Sequence, residues 1–221
     1  MRRRLISMLL LVVTLFSLAS CERDREYDEA EVLAAAAELV ELSRDLNEIY
    51  YGKGLGYDEE DGIGAYKRAT SSSLMKYGIA TVDDLRAKTK AVFSQQMSAS
   101  LFSMALDPIY NGTSIVGYRR YYQEYDDDGN PTSIMVKSNY EYFGTGEIIY
   151  REGITVADVE GEVIIVNVPV TLVRESDGKT KDTTLTVRLI EEEGGWRLHS
   201  DTFAVYTESS DKYDELNKNK K

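Results

Sequence analysis

The spacing of apolar residues changes once along this chain, and that change limits the folds open to it. Before Asp107-Pro108, apolar residues recur every three or four positions, as they do on one face of an α-helix. After it, apolar and polar residues alternate, as they do in a strand with one face in water. Helices followed by a run of strands indicate an α+β chain with an antiparallel sheet.

Three helices are predicted in the first half. The first covers residues 29–51, with acidic residues in its first turn and Gly52 after its end. Thr81 opens a second helix, because its hydroxyl can accept from the backbone N–H near Asp84, and Ser94 opens a third. The apolar face of the first helix consists of Val32, Leu33, Ala36, Leu39, Val40, Leu46 and Ile49.

Residues 52–64 combine five glycines with the acidic run of residues 58–61. A calcium loop of the EF-hand type with its turn glycine at Gly62 would need Asp at position 57 and Glu at 68. The chain has Tyr57 and Arg68 there. We therefore expect a solvated loop without a metal ion.

Five or six antiparallel strands are predicted between residues 115 and 206. Ile134, Val136, Tyr140 and Tyr142 alternate with polar neighbours and with Met135, and a second alternating run includes Leu185, Val187 and Leu189. Residues 163–173 are apolar on both faces near the start of the run, which indicates a central strand, with Pro169 marking a bulge or a strand end. Turns are expected at residues 111–113, 126–130, 176–178 and 191–195.

The N-terminal segment has the pattern of a targeting sequence. Arg2-Arg3-Arg4 precedes an apolar run that is too short to span a bilayer and ends in Leu18-Ala19-Ser20-Cys21. This pattern resembles the lipobox of bacterial lipoproteins, in which the Cys thiol receives a diacylglyceryl group and the chain is cut before it. The resemblance implies a signal peptide at residues 1–20, lipidation of Cys21, and a lipid-anchored domain on the extracytoplasmic face of the cell membrane. A plain signal peptide with cleavage elsewhere is the alternative.

Charge and cysteine content support that organisation. Cys21 is the only cysteine, so an intramolecular disulfide is excluded. Loss of the three signal arginines takes the net charge from −12 to −15, which argues against binding nucleic acid. We expect residues 21–28 to form a tether that reaches about 25 Å, residues 29–207 to form one domain, and residues 208–221 to form a charged tail.

The end of the chain resembles a known fold. Leu185, Val187 and Leu189, followed by Gly194-Gly195-Trp196-Arg197-Leu198, are similar to the final hairpin of nuclear transport factor 2-like (cystatin-like) proteins. The resemblance implies N-terminal helices followed by a curved antiparallel β-sheet, a cystatin-like cone that encloses a pocket.

The helical half has a narrower resemblance. Tyr66, the Thr81-Val82-Asp83-Asp84-Leu85 helix start and Val92-Phe93-Ser94 resemble the secreted DL-endopeptidase inhibitor family of Gram-positive bacteria. That resemblance implies a non-catalytic binding module that inhibits or regulates a cell-wall hydrolase, and whose partner is a cell-wall peptidase or another envelope protein. A lipid anchor departs from the freely secreted members of the family.

Groups suited to catalysis are few. Lipidation would consume Cys21, and His199 is the only histidine, so neither a cysteine nucleophile nor an ordinary zinc site is expected. No cofactor motif is present. His199 and Asp201 lie two apart on a predicted strand, so they share a face and could line a pocket. A small-ligand-binding protein or pocket-type enzyme on the same fold therefore remains the alternative function.

Two surface features suggest partner contacts. Tyr121 and Tyr122 are adjacent in a predicted strand, so they point to opposite faces and leave one tyrosine-rich face partly exposed. Acidic residues also crowd two turns and the glycine-rich loop. If these acids gathered at one end, they would favour a basic partner. The residues of the two turns are Asp126, Asp127, Asp128, Glu191, Glu192 and Glu193.

Overall fold

A computed structural model describes residues 27–142 and 146–206. Its first helix, α1 (Glu29–Tyr50), begins at the N-cap Asp28, whose carboxylate accepts from the amides of Ala30 and Glu31. With 22 residues it is about 33 Å long. Its predicted apolar face is largely buried, and the face includes Val32, Ala36, Leu39, Val40, Leu46 and Ile49. The predicted first helix is confirmed.

Three shorter helices follow, α2 (Ser71–Tyr77), α3 (Val82–Val92) and α4 (Gln95–Ala105). The caps predicted from the sequence are confirmed. Thr81 and Asp84 form a reciprocal capping box at α3, and Ser94 caps α4. Helix α2 was not predicted, because its seven residues are too few to show a helical period.

Eleven strands form antiparallel pairs among the described residues. A four-stranded sheet has the order β1-β2-β6-β5, and a five-stranded sheet has the order β11-β10-β9-β7 with β8 also on β9. β3 and β4 form a separate hairpin. The strands curl into a half-barrel after the first helix, which confirms the α+β class with a curved antiparallel sheet. The strands are β1 (Tyr57–Ile63), β2 (Tyr66–Ala69), β3 (Pro108–Asn111), β4 (Ser114–Tyr118), β5 (Tyr121–Tyr125), β6 (Pro131–Lys137), β7 (Gly146–Tyr150), β8 (Thr155–Glu160), β9 (Val163–Arg174), β10 (Thr180–Glu192) and β11 (Gly195–Leu198).

Three details of the sequence prediction are wrong. Between residues 115 and 206 the chain forms more strands than the five or six expected, and they belong to more than one sheet. The predicted loop at 52–64 contains the whole of β1, which pairs with β2 although nearly all of its residues are exposed. The strand expected to reach Tyr142 ends at Lys137.

Pro169 was expected to mark a bulge or a strand end, and it marks neither. β9 continues past it, and its pairing with β10 shows no shift of register there. On the other side of β9, pairing with β8 ends at Asn167 and pairing with β7 begins at Val170. Proline is tolerated at this position because its missing N–H faces the gap between these two neighbours.

The main core lies between α1, α3, α4 and the inner faces of the strands, and its buried residues run from Val32 to Leu198. The last hairpin packs on α1, where Trp196 Nε1 donates to Glu31 Oε1 at 3.2 Å. A chain that begins at Glu22 therefore retains the whole core. None of the helices in the described ranges is both long and apolar enough to cross a bilayer. Cys21, the predicted signal peptide and the predicted charged tail lie outside the described residues.

Candidate functional site

The β3–β4 hairpin exposes apolar side chains without any charge. No charged residue occurs from Pro108 to Tyr118, and these are the only two described strands without one. Tyr110 is 60% exposed and Val116 is 61% exposed, while Ile109 and Ile115 are also exposed. Exposed apolar side chains grouped on one short hairpin are typical of a contact site for another molecule.

A tyrosine cluster holds the base of this hairpin. The Tyr66 hydroxyl accepts from the amide of Tyr118 and donates to the carbonyl of the same residue, both at 2.8 Å. The rings of Tyr118 and Tyr122 stack with centroids 4.4 Å apart, and the Tyr66 ring meets Tyr122 edge-on at 5.1 Å. The cluster therefore fixes the orientation of the hairpin relative to the four-stranded sheet.

This cluster lies on the outer face of the sheet, as the tyrosine pattern predicted. Tyr121 is fully buried in the main core, whereas Tyr122 is on the opposite face and partly exposed. Met135 is paired across the sheet with Tyr122 and Arg68, and it is fully buried although it lies outside the main core. The outer face thus carries a second, small apolar layer that continues into the hairpin.

A buried arginine connects the hairpin to α1. Arg120 is 2% exposed, and its guanidinium donates to the carbonyl of Tyr50 at 3.0 Å and to that of Gly52 at 2.7 Å. It also lies 4.4 Å from the centroid of the Tyr140 ring. The sequence did not identify Arg120 as a buried residue. The alternation of side chains along a strand indicates only that one of Arg119 and Arg120 points inward.

The segment that follows α1 is held by Tyr121, the neighbour of Arg120. The Tyr121 hydroxyl donates to the carbonyl of Ile49 at 2.9 Å and accepts from the amide of Leu55 at 3.2 Å. Burial raises the pKa of this phenol to about 12. Gly54 has a φ of 80°, and a Cβ there would collide with Tyr121 and Arg120. Residues 52–56 are therefore a fixed connection, which corrects the prediction of a solvated loop.

A cleft of about 990 Å³ lies along α1. One wall is α1 itself, and the others include residues of α2, α3, β7 and β9. Its lining mixes apolar and charged groups, with ion pairs between Lys53 and Glu175 at 2.5 Å and between Arg44 and Glu147 at 3.9 Å. Other residues that line the cleft include Leu42, Asn47, Ile148, Tyr150, Arg174 and Phe203.

The structure does not bring His199 and Asp201 into that cleft. β11 ends at Leu198, so neither residue is on a strand, and neither lines the cleft. His199 Nδ1 lies 2.9 Å from the Oγ of Ser94, the N-cap of α4, while Asp201 is exposed. Because Ser94 Oγ already accepts from the Met97 amide, its proton is available to Nδ1. This arrangement gives His199 a structural role.

Replacing His199 tests that role. Ser94 is fully buried, so loss of its acceptor should cost about 1–3 kcal/mol of unfolding free energy. We expect His199→Gln to show this loss, and His199→Asn, whose Oδ1 can occupy the position of Nδ1, to retain most of the stability. Urea unfolding of both variants measures the difference, and equal losses would contradict the assignment.

The acidic turns do not gather at one end. The turn after β5 lies near the start of α3, where the Val82 amide donates to Gln123 Oε1 at 2.9 Å. The turn before β11 lies near the end of α3, where Phe93 bridges to Leu198. The 11 residues of α3 separate these two places by about 16 Å.

Asp126 and Glu192 have partners close to their own turns. Hydrogen bonds from the Asn130 backbone and side chain lower the pKa of Asp126, which organises its turn. Glu192 accepts from the amide of Gln95 at 3.0 Å and so supports the N-terminus of α4. Asp127, Asp128, Glu191 and Glu193 are exposed at the two turns. The third acidic run reaches the same sheet as the first turn, with Asp61 paired to Arg68 at 2.8 Å.

Comparison with known proteins adds no relative. No protein-family model, curated protein or solved structure matches the chain. Within residues 27–142 and 146–206, no group of His, Cys, Asp and Glu side chains is arranged to hold a metal ion. The candidate surfaces therefore rest on geometry alone, and they are the uncharged hairpin with its tyrosine cluster and the cleft along α1.

Proposed function

We propose that this protein is a lipid-anchored, extracytoplasmic binding module without catalytic activity, and that it contacts its partner through the β3–β4 hairpin and the adjoining tyrosine cluster. The fold proposed with it is the nuclear transport factor 2-like, cystatin-like cone, which the curled sheet beside α1 supports. The partner proposed is a cell-wall peptidase, following the sequence resemblance to inhibitors of such enzymes. The observation that carries the proposal is the uncharged, exposed hairpin.

The position of the hairpin suits a partner that lies away from the membrane. The proposed lipid on Cys21 precedes the N-terminus of α1, whereas Arg120 holds the hairpin base at the C-terminus of α1. The two ends are about 33 Å apart. A short tether and a long α1 would therefore leave the hairpin free to reach outward.

The chemistry of the described residues favours binding over catalysis. The only histidine is engaged by the cap of α4, and the Ser94 hydroxyl beside it is fully buried, where no substrate reaches it. A binding role for the hairpin needs no reactive group. It needs exposed apolar area on a rigid support, which the Tyr66 hydrogen bonds and the Arg120 contacts provide.

The cleft along α1 favours the second candidate, a small-ligand-binding protein or pocket-type enzyme. Its volume of about 990 Å³ is at the upper end of the range for small-molecule sites, about 300–1,000 Å³. The residues first considered for such a pocket, His199 and Asp201, lie outside it. The hairpin is therefore the better supported contact site.

Photo-crosslinking in cells tests the proposal. A photoreactive amino acid at Val116 should form an adduct with an envelope protein, and one at Met75 should not. Met75 is a matched control because it is apolar and even more exposed but lies on α2. Identical adducts from the two positions, or none from Val116, would contradict a contact site on the hairpin.

The lipid anchor has its own test. Cys21 is the only thiol that can carry the acyl chains, so Cys21→Ser should abolish lipidation and the cleavage that depends on it. Two acyl chains hold a protein on a membrane almost permanently, at about 0.8 kcal/mol for each buried CH₂. Metabolic labelling with a radioactive fatty acid should mark the wild type only. A labelled mutant, or an unlabelled wild type, would refute the anchor.

A further inference from the structure

The cleft along α1 contains a buried acceptor that lacks a donor. Asn47 Nδ2 donates to Thr202 Oγ1 at 2.8 Å and to the Tyr150 hydroxyl at 3.3 Å, which fixes the orientation of the amide. Thr202 in turn contacts Ser43, whose hydroxyl donates to the carbonyl of Val40. Asn47 Oδ1 has no hydrogen-bond partner among the described residues. The wall of the cleft therefore favours an occupant with N–H or O–H donors.

The last described residues run along the rim of this cleft. Phe203 lines it and stacks on Tyr51 with ring centroids 4.8 Å apart. The Tyr206 ring lies 4.9 Å from the guanidinium of Arg174, which also lines the cleft. The described part of the chain therefore ends at the rim. Fifteen further residues can extend about 50 Å, far more than the length of the cleft wall on α1.

Residues 207–221 carry both signs of charge, as the cleft does. Their acidic residues come first and include Glu208 and Asp211, while basic residues predominate from Lys218 onward. The lining of the cleft is also mixed, with Lys53, Arg174 and Glu175 at the end where Tyr206 lies, and with Arg44 beside Glu41 and Glu147 further along α1. The acidic groups of α1 in the lining are Glu41, about two and a half turns from the end of the helix, and Asp45 and Glu48, which are closer to that end.

The same segment contains only two apolar residues, Tyr213 and Leu216, which are three positions apart. That spacing would place both on one face of a helical turn, suited to the apolar part of the cleft around Ile148. We propose that residues 207–221 bind back into the cleft along α1 as a tethered peptide, with Tyr213 and Leu216 as its apolar contacts. A peptide also supplies the N–H donors that the wall favours.

Tethering makes this contact effective even at low affinity. A short linker gives the segment a local concentration in the millimolar range. A free peptide with a Kd of about 1 mM would therefore occupy the cleft about half of the time when it is attached. The inference is independent of the proposed hairpin contact, because the cleft and the hairpin are separate surfaces.

Paramagnetic relaxation in the chain from Glu22 to Lys221 tests the contact. This chain contains no cysteine, so a single Cys introduced by Asn217→Cys takes one spin label. We expect at least a twofold loss of amide signal at residues 41–48 and 147–150. The β3–β4 hairpin, which does not line the cleft, should lose little signal. Signal loss spread evenly over the domain, or centred on another surface, would overturn the proposal.

Variants separate specific binding from mere proximity. Tyr213→Asp with Leu216→Asp in the labelled chain should restore the cleft signals at least twofold, since both apolar contacts are lost. Leu42→Glu on α1 should do the same, because Leu42 lines the cleft and is half-exposed, so the domain tolerates the change. Met75→Glu is its matched control and should restore nothing. Unchanged signal loss in the double variant would overturn the proposal, since tethering alone would explain it.

Discussion

Replacing Arg120 by methionine is expected to remove about 3–5 kcal/mol of the free energy of unfolding. The change deletes two charge-assisted hydrogen bonds, each worth about 1.5–3 kcal/mol, and leaves the carbonyls of Tyr50 and Gly52 without those donors. Relief of a buried charge offsets part of the loss. A domain of this size should melt about 10 °C lower.

Arg119→Met is the matched control, because Arg119 is the adjacent residue of the same type and is exposed. We expect its melting temperature to stay within about a degree of the wild type, since surface substitutions cost little. Calorimetry of the two variants measures the difference. Equal melting temperatures would show that Arg120 does not hold the hairpin base to α1.

Alkaline pH is expected to unfold the domain steeply. Burial raises the pKa of Tyr121 to about 12 and also raises that of Tyr50 and of Tyr51. These phenols are neutral in the folded chain, whereas in the unfolded chain they ionise near pH 10. Their contribution to the free energy of unfolding is therefore complete below pH 10. It is lost as the pH rises through the pKa values that these phenols have in the folded chain. Three such groups give a slope of up to about 4 kcal/mol per pH unit.

Urea unfolding at pH 9, 10 and 11 measures this slope, and tyrosinate absorbance shows which phenols ionise. Of the 16 tyrosines in the sequence, three should ionise only as the domain unfolds. Tyr125→Phe, at an exposed position, should leave the slope unchanged. A free energy that stays constant from pH 9 to 11, or 16 phenols that all titrate near pH 10, would contradict their burial.

Local rules predicted the helix starts and the buried faces. Thr81 and Ser94 cap helices because a hydroxyl next to free backbone N–H groups acts over only three residues. Alternation likewise placed Val187 and Leu189 in the core. Tyr121 and Tyr122 point to opposite faces for the same reason. Such features depend on neighbours in the sequence, so the sequence alone is enough to find them.

Long-range contacts were not predictable in the same way. β1 is rich in acidic residues and glycine, and it is a strand because β2 connects it to β6, about 70 residues further along the chain. Arg120 is buried because the end of α1, also about 70 residues away, supplies its acceptors. Met135 is buried between two neighbouring strands, where it is paired with Tyr122 and with Arg68. No local pattern marks any of these three.

In the candidate site, too, local features could be predicted from the sequence and long-range contacts could not. The sequence pointed to the acidic turns, because charges are visible in it, but the two turns lie at opposite ends of α3. The uncharged run from Pro108 to Tyr118 was equally visible, yet nothing in the sequence says that it forms a separate hairpin rather than a strand of the core. Exposure in the folded domain is the observation that distinguishes it.

Inhibition of a cell-wall peptidase tests most directly whether the hairpin binds such an enzyme, as we propose. The rate at which a wall peptidase from the same organism cleaves peptidoglycan is followed with increasing amounts of the chain from Glu22. We expect slower cleavage, and at least a tenfold higher half-inhibitory concentration for Tyr110→Asp combined with Ile115→Asp. Met75→Asp should inhibit like the wild type. Equal inhibition by all three proteins would contradict a contact through the hairpin, and no inhibition of any wall peptidase would contradict the proposed function.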